Sequence, residues 1–400
     1  MEIIFLAGLF PDNHKGEIIK NSKGVIQFAA NNFQQALLKG FLENSVEVYL
    51  MNLPFIGSFP LFYKKIYSSS FPIKYSNVKG INLGFLNFPI LKNLFRYIVA
   101  KKQLNLYLKD KDKDVAVVAY AVHTPFLSAV SSVKKKYPKL KTCIVVPDLP
   151  QYMSDSKNIF YLALKKIDSI FINRSMKSVD SFVFLSKYMV DYCAAENKQW
   201  VVIEGVYNDS HDNKRTVKAV AEEKIILYTG TLALRYGVLN LLEAFSRIKD
   251  ENYRLWICGK GEGENEIKKR SQKDSRIKYF GQVLTDVVRR MQTEATVLIN
   301  PRTNEGEYTK YSFPSKIIEY FASGTPTIMY KLNGIPEDYF DYCFTIDGET
   351  VDDLKKTIIK VCEMNNETLE AVGEKAQNFI TEKKNAKFQS QKIIQMLSKL

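Results

Sequence analysis

The sequence is poor in the residues that build metal centres and disulfide frameworks. Its 400 residues include three histidines, His14, His123 and His211. No two lie at ligand spacing, so a histidine-based metal centre is excluded and no metal cofactor is expected. The five cysteines, Cys143, Cys193, Cys258, Cys343 and Cys362, are odd in number, widely spaced and mostly set in apolar runs. That pattern fits neither a disulfide scaffold nor a zinc site, and it implies a reducing, cytoplasmic setting. Long hydrophobic runs are also missing. No window reaches the roughly 18 uninterrupted apolar residues of a membrane span, because lysines or polar residues break each one. The run at 1–8 lacks a basic start and is too short for a signal peptide, so it is expected to be a buried first strand. Low complexity is confined to the alternating Lys and Asp of 109–114. Asp110-x-Asp112 invites a metal–nucleotide reading, but alternating charge ahead of a strand fits a solvated turn better.

What is present is an ordinary globular balance, 46% apolar and 25% charged, at a length that suits two domains rather than one core. The net charge of +14 is unevenly placed. Residues 1–205 carry 27 Lys+Arg against 15 Asp+Glu, and residues 206–400 carry 30 against 28. A one-sided basic field suits nucleic acid, an anionic membrane surface or a phosphate-bearing substrate, and charge alone does not choose among them.

Apolar, β-branched runs of strand length recur at 2–7, 46–50, 115–121, 142–146 and 181–185, and again at 224–229, 253–258, 277–280, 295–300, 325–329 and 343–346, with helical stretches between them. Two such series predict an α/β fold of two parallel, helix-covered sheets. The polar stretch 207–215 is the linker candidate, with the boundary near 205–222 and domains at 1–205 and 206–385. Two open sheets of this kind facing each other bind ligands in a cleft at the carboxyl ends of their strands, so functional residues are expected just after strands.

The stretch from Asn300 to Pro326 fits that expectation. It leaves a strand, crosses a polar loop and enters a helix near Phe313, Pro314 and Ser315, with Gly324 at the helix end. Free N–H groups around Ser315 and Lys316, with the Lys316 charge, suit a diphosphate. Glu319, one turn on, is placed to accept both hydroxyls of a ribose. Alternatively Lys316 and Glu319 are an ordinary helix-face pair.

Thr309-Lys310-Tyr311-Ser312-Phe313-Pro314-Ser315-Lys316-Ile317-Ile318-Glu319-Tyr320 resembles the signature of the retaining glycosyltransferases of family 4, especially the branch that builds bacterial capsular and O-antigen polysaccharides. The likeness extends to Tyr228-Thr229-Gly230-Thr231-Leu232, Leu255-Trp256-Ile257-Cys258-Gly259-Lys260-Gly261 and Leu298-Ile299-Asn300-Pro301-Arg302, spanning most of 224–340. It implies the GT-B fold, two Rossmann-like domains facing across a cleft, with the final segment 386–400 a helix returning to the first. It also implies donor-facing positions at Thr231, Tyr311, Ser312, Ser315 and Glu319, and at Gln282 and Val283 for the nucleobase.

The chain departs from the family at several of these positions. Of the two glutamates the family carries with seven residues between them, Glu319 matches the second, while the first position is Tyr311. The family's phosphate-binding Arg and Lys correspond to Thr231 and Tyr236. Charge for the diphosphate is therefore sought in Arg235, Arg302, Lys310 and Lys316, and contact with the donor sugar in Glu307. The Gly259-x-Gly261-x-Gly263 run reads as a tight turn at the cleft rim, since no acidic residue completes a dinucleotide-binding unit.

In the first half, His123 follows an apolar strand, as does Asp148, and the long loop after the first strand opens with Gly8. His123 resembles the family's cleft histidine and is expected to hydrogen-bond the donor sugar; a structural histidine is the plainer alternative. Asp148 is a candidate for orienting the acceptor, or caps a turn. Gly8 is expected to approach the donor diphosphate or admit the acceptor. The stretch 90–104 has apolar residues at helical spacing with interspersed cations, which suits a helix covering a sheet or one lying on an anionic bilayer, as do Phe55, Phe59, Phe62, Tyr63, Lys64 and Lys65 upstream. These features together lead to the expectation of a metal-independent glycosyltransferase. It would take a nucleotide-sugar donor and a lipid-linked glycan acceptor, act in the cytoplasm or on the inner face of the membrane, and not bind nucleic acid. A same-fold epimerase or phosphorylase, or a non-catalytic nucleic-acid-binding protein, is the alternative.

Overall fold

A computed structural model describes residues 1–24, 26–75, 78–89, 91–109, 111, 114–149, 159–208 and 223–400. Most of the linker at 207–215, and both Asp110 and Asp112, lie outside the described residues. The chain forms two compact units, Met1–Val206 with Ala386–Leu400, and Tyr207–Asn385.

In the first unit the strands are β1 (Glu2–Ala7), β2 (Glu47–Asn52), β3 (Tyr67–Ser68), β4 (Phe71–Tyr75), β5 (Val78–Asn82), β6 (Phe85–Leu86), β7 (Val115–Tyr120), β8 (Lys141–Val146), β9 (Ser181–Phe184) and β10 (Gln199–Val202). Its helices, before the chain crosses over, are α1 (Asp12–Asn21), α2 (Phe28–Glu43), α3 (Leu91–Leu108), α4 (Thr124–Lys136), α5 (Ile159–Met176) and α6 (Met189–Tyr192). Among the described residues they build an eight-stranded sheet in the order β10-β9-β8-β7-β1-β2-β5-β4. Strands β1, β7 and β8 lie inside it with helices on its faces, and their unbroken apolar runs follow from burial on both sides. The expected all-parallel sheet is corrected at one edge: β4 runs antiparallel to β5. Its Pro72 suits an edge, where a missing N–H costs no ladder bond. The sequence reading did not include β3 to β6 or β10, which are short, polar-rich segments without a strand-length apolar run.

The second unit contains β11 (Lys224–Thr229), β12 (Tyr253–Cys258), β13 (Ile277–Gly281), β14 (Val297–Asn300), β15 (Thr327–Met329) and β16 (Phe344–Thr345), with α7 (Val238–Ser246), α8 (Glu264–Lys273), α9 (Thr285–Glu294), α10 (Lys316–Ala322), α11 (Val351–Cys362) and α12 (Asn366–Lys383). Its six described strands are all parallel, in the order β13-β12-β11-β14-β15-β16. Both sheets reverse their strand order at the first strand of the unit, between β1 and β7 in one and between β11 and β14 in the other. Two Rossmann-like units of this kind are the GT-B architecture.

The last helix, α13 (Ala386–Ser398), belongs to the first unit, where Ile393, Met396 and Leu397 enter the core. It packs on α2 at very short range. A Cβ on Gly40 would lie 2.1 Å from the Ala386 carbonyl oxygen and 2.2 Å from Ser390 Oγ. Asn44 Nδ2 donates to the Lys387 carbonyl at 2.8 Å, and Gln389 Nε2 donates to that of Gly205 at 2.9 Å.

Helix α3 carries apolar residues on both its inward and its outward side. It turns Arg96, Ala100, Leu104 and Leu108 inward and leaves Leu91, Leu94, Phe95, Ile98 and Leu106 exposed. Among the described residues no helix is long and apolar enough to cross a membrane.

Gly40→Val should force α13 away from α2 and cost about 1–3 kcal/mol, the usual range for overpacking. Urea unfolding reads the loss, and hydrogen exchange should show lowered protection concentrated in 386–398.

Candidate active site

In the second unit the loops after β11 and β14 emerge side by side at the reversal of strand order. Gly237 holds them together: its φ is +77°, and a Cβ there would lie 2.0 Å from the Pro301 carbonyl oxygen. This approach places Arg235, from the first loop, near Arg302, from the second. Their guanidinium carbons lie over the same two rings, Arg235 at 5.6 Å from Tyr236 and 5.2 Å from Tyr308, Arg302 at 5.2 Å and 4.9 Å. Arg302 is 5% exposed. Its Nη2 donates to Ser312 Oγ at 2.6 Å, Ser312 Oγ donates to the Tyr308 carbonyl at 3.1 Å, and Arg302 Nε has no partner. Burial lowers the Arg302 pKa, yet a guanidinium stays charged at neutral pH. Neither arginine is paired with a carboxylate among the described residues. Two desolvated or ring-stacked cations without a carboxylate partner at a strand reversal are a charge arrangement that an anionic group would complement.

Helix α10 starts at Lys316, two residues after Pro314, and ends ahead of Gly324, whose φ is +70°. Tyr320 ties it to β11, accepting from Thr229 N at 2.8 Å and donating to Thr229 O at 3.0 Å. Lys316 Nζ and Glu319 Oε2 form an i,i+3 pair at 2.5 Å, so the helix-face alternative is realised here. The pair is half-exposed, a geometry in which an ion pair contributes little to stability and opens readily to a ligand. Ser315 is exposed, and the Ile317 N–H is taken by the Pro314 carbonyl at 2.9 Å. Thus the uncommitted charge lies with Arg235 and Arg302 rather than with Lys316.

The other expected donor residues are spread more widely. Glu307 is exposed at the start of a 3-10 turn, Glu307–Tyr311, in which Lys310 and Tyr311 are half-buried. Thr231 is exposed after β11, its carbonyl accepting from Tyr228 OH at 2.7 Å. Gln282 and Val283 follow β13 at the sheet edge, two strands away from the reversal. The glycine run serves packing: a Cβ on Gly259 would lie 1.8 Å from the Gly230 carbonyl oxygen, and one on Gly261 2.7 Å from the Leu232 carbonyl carbon. The sequence reading missed Tyr308, whose ring carries both arginines, because a lone tyrosine in a polar loop gives no signal of its own.

The first unit repeats the arrangement at the ends of β1 and β7. Gly8 is buried, its N–H donates to Gln34 Oε1 at 2.7 Å, and a Cβ would lie 2.6 Å from the Phe55 ring. The next two N–H groups are also taken, Leu9 by Asn52 Oδ1 and Phe10 by Asn31 Oδ1, each at 2.7 Å. Gly8 therefore serves close packing with Phe55, and these amides are not left open to a phosphate. His123 directly precedes α4 and meets Phe55 and Phe126 edge-on, at 5.7 and 5.2 Å between centroids. Its Nδ1 is buried without a partner. Burial, then Arg96 and Lys92, hold its pKa well below the usual histidine value, so the imidazole is neutral. Asp148 follows β8; it is solvent-exposed yet crowded by protein on most sides, and the partial desolvation pushes its pKa up to about 6. Beside the β1 loop, His14, Glu17, Tyr63, Lys65, Phe71 and Asn82 line a small cleft of about 80 Å³. Among the described residues no three His, Cys, Asp or Glu side chains gather as metal ligands.

The comparisons with known proteins agree with this architecture. The fold is that of the GT-B glycosyltransferases. Residues 209–396 match the family model described as glycosyl transferases group 1. No curated protein matches the chain significantly. Sucrose-phosphate synthase from Thermosynechococcus elongatus superposes with a TM-score of 0.64 at 14% identity, over 100% of this chain and 99% of that one. The Anabaena protein HepE in complex with UDP gives 0.62 at 12% identity, over 100% of both chains. The lipopolysaccharide outer core galactosyltransferase WaaB in its apo form gives 0.60 at 14% identity, over 100% of both.

Asp148 generates a pH prediction. Its folded pKa of about 6 lies above the ordinary 3.8, so the folded state binds the proton more tightly and stability falls as pH rises through that window. Carboxyl NMR should find one group titrating near 6 that vanishes in Asp148→Asn, and the variant's stability should vary less between those two pH values.

Proposed function

We propose that this protein is a retaining glycosyltransferase that moves a sugar from a nucleoside diphosphate donor to a hydroxyl of a lipid-linked glycan, as in capsule or O-antigen assembly, without a required metal. In the transfer, the bond from the anomeric carbon to the diphosphate oxygen breaks, the electron pair leaving with the diphosphate. The acceptor oxygen bonds to that carbon and gives up its proton. The observation that carries the reading is the Arg235–Arg302 pair at the strand reversal of the second unit. Positioned cations that neutralise a departing diphosphate stabilise charge that develops in the transition state, the most effective form of electrostatic catalysis. Glu319, on the helix that Tyr320 anchors to β11, is assigned to the ribose hydroxyls once its pair with Lys316 opens. Retention and the polysaccharide role rest on the resemblance of 309–320 to family 4. HepE binds UDP, which puts UDP-sugars first among donors to test.

Isothermal titration with UDP tests the donor site. Arg302→Met and Glu319→Ala should each weaken binding by about 1.5–3 kcal/mol, the range of a hydrogen bond to a charged group, with the fold retained. Unchanged affinity in both variants overturns the assignment. In the same preparation turnover of UDP-sugars should survive EDTA, and loss restored by magnesium or manganese overturns the metal-independent mechanism.

The first unit supports docking on an anionic membrane. Residues 48–109 hold nine Lys+Arg and no Asp or Glu. The same segment exposes Leu61 (72%), Phe62, Ile66, Tyr67 and Phe88 together with the outward stripe of α3. Ile66 and Phe88 are brought close by the hydrogen bond from Asn87 N to Ile66 O at 2.7 Å. An apolar surface within a purely cationic segment matches a bilayer with anionic headgroups, each nearby cation adding about 1 kcal/mol or less at physiological salt. Vesicles containing phosphatidylglycerol should co-sediment the protein and release it as salt rises. Leu61→Asp with Phe95→Asp should abolish binding while UDP affinity stays the same; retention of the protein in the supernatant at low salt overturns the docking.

A further inference from the structure

Arg96 is the most costly residue of the first unit. It is 1% exposed, forms no ion pair with a carboxylate among the described residues, and its Nε has no partner. Burying an uncompensated charge opposes folding. What the guanidinium does hold is the loop after β2. Its Nη2 donates to the Leu53 carbonyl at 2.8 Å and its Nη1 to that of Pro54 at 2.9 Å, while Lys92, one turn earlier on α3, donates to Ile56 O. Two basic side chains thus grip three carbonyls within four residues; burial, then Arg96, lowers the Lys92 pKa to about 7, so its charge is fully present only below neutral pH. The residue enclosed by that grip is Phe55, whose N–H donates to Gly8 O at 3.1 Å and whose ring meets Arg96, Phe126 and His123. Arg96 is also 4.9 Å from the Phe85 ring centroid and 5.2 Å from that of Phe126.

We propose that Arg96 and Lys92 are positioning residues for His123: they clamp the loop 53–56 so that Phe55 seats the imidazole, with the Arg96 guanidinium over the same Phe55 and Phe126 rings that His123 meets. The role rests on the transferase reading only in its kinetic consequence; the clamp itself is a property of the first unit. Among the described residues the charges that oppose protonation of His123 are Arg96 and Lys92 of α3. The loop after β2 offers Phe55 and α4 offers Phe126, both uncharged. Tyr120 at the end of β7 is held neutral by burial and then by Asp148, which follows β8, and Asp168 of α5 is engaged by Thr124. Like charge opposes protonation, so the clamp keeps the imidazole a neutral hydrogen-bonding group. That suits contact with a sugar hydroxyl and avoids a second cation beside the reacting carbon. A stability cost retained at a strand reversal is the signature of a functional site.

The test uses the full chain, in which three histidines give three imidazole signals assignable by single His→Gln variants. In Arg96→Met and Lys92→Met, the His123 signal should titrate at higher pH by about one unit or more, and UDP affinity, carried by the second unit, should not change. With any UDP-sugar the wild type turns over, kcat should fall roughly ten- to a hundredfold, as for a slightly misplaced active-site group. The loss should be larger at pH 6 than at pH 8. In Arg96→Met relief of the buried charge is offset by two carbonyls left unpaired, so urea unfolding is read beside the titration to separate lost stability from a displaced His123. If the His123 titration is unmoved in both variants the proposal is overturned, and if Arg96→Met does not fold, Lys92→Met alone decides. A wild type that turns over no nucleotide sugar defeats the transferase reading and leaves the titration result standing for the clamp.

Discussion

The reversal of strand order in a parallel sheet is the constraint on which both candidate sites depend. A strand–helix–strand crossover is right-handed, so a unit that winds first one way and then the other from its central strand sends neighbouring loops to opposite faces. The gap between them opens at the carboxyl ends of the strands. In the second unit that gap receives the loops of β11 and β14, and with them Arg235 and Arg302. In the first it receives the loops of β1 and β7, and with them the packed Gly8 and His123. Neither pair is near in sequence; both are brought together by the order of the strands.

The two units share a second device. Each buries one arginine, Arg96 or Arg302, at no more than 5% exposure and with Nε unpartnered. Each guanidinium is flanked by aromatic rings, Phe55, Phe85 and Phe126 in one case, Tyr236 and Tyr308 in the other. Ring faces offer a partial negative potential without a formal charge. A carboxylate in the same place would neutralise the cation and remove the field; aromatic walls keep the charge available. The difference lies in the remaining partners. Arg96 spends its donors on loop carbonyls and acts on the backbone, whereas Arg302 bonds side chains of the loop after β14, Ser312 and Tyr308.

Much of the architecture was legible because it is written in local periodicity. The six-residue runs of β1, β11 and β12 were bounded to the residue, their apolar cores being long enough to mark a strand although β12 carries the half-buried Arg254. The α/β class and the split into two sheets followed from the two series of such runs. Strands β3 to β6 escaped because they are short and rich in serine, asparagine and lysine, and β4 takes its direction from β5 rather than from any pattern of its own. The outward apolar stripe of α3 was readable as amphipathic periodicity, but which side faced the sheet was not. Apolar residues lie on both sides of the helix, and the inward side, with Ala100, Leu104 and Leu108, also takes Arg96.

At the site the division is sharper. The sequence by itself determined the polar loops that follow the strands and the candidate cations and carboxylates they carry, because loop composition and position after a strand are local facts. Which of those groups meet was decided only by the tertiary structure. Arg235 and Arg302 converge because Gly237 lets two backbones touch, Lys316 is drawn to Glu319 one turn along its own helix, and Gly8 is closed off by Phe55. Each outcome turns on distances of a few ångströms between segments far apart in the chain, set by strand order and close packing, and no residue pattern within either segment encodes its partner.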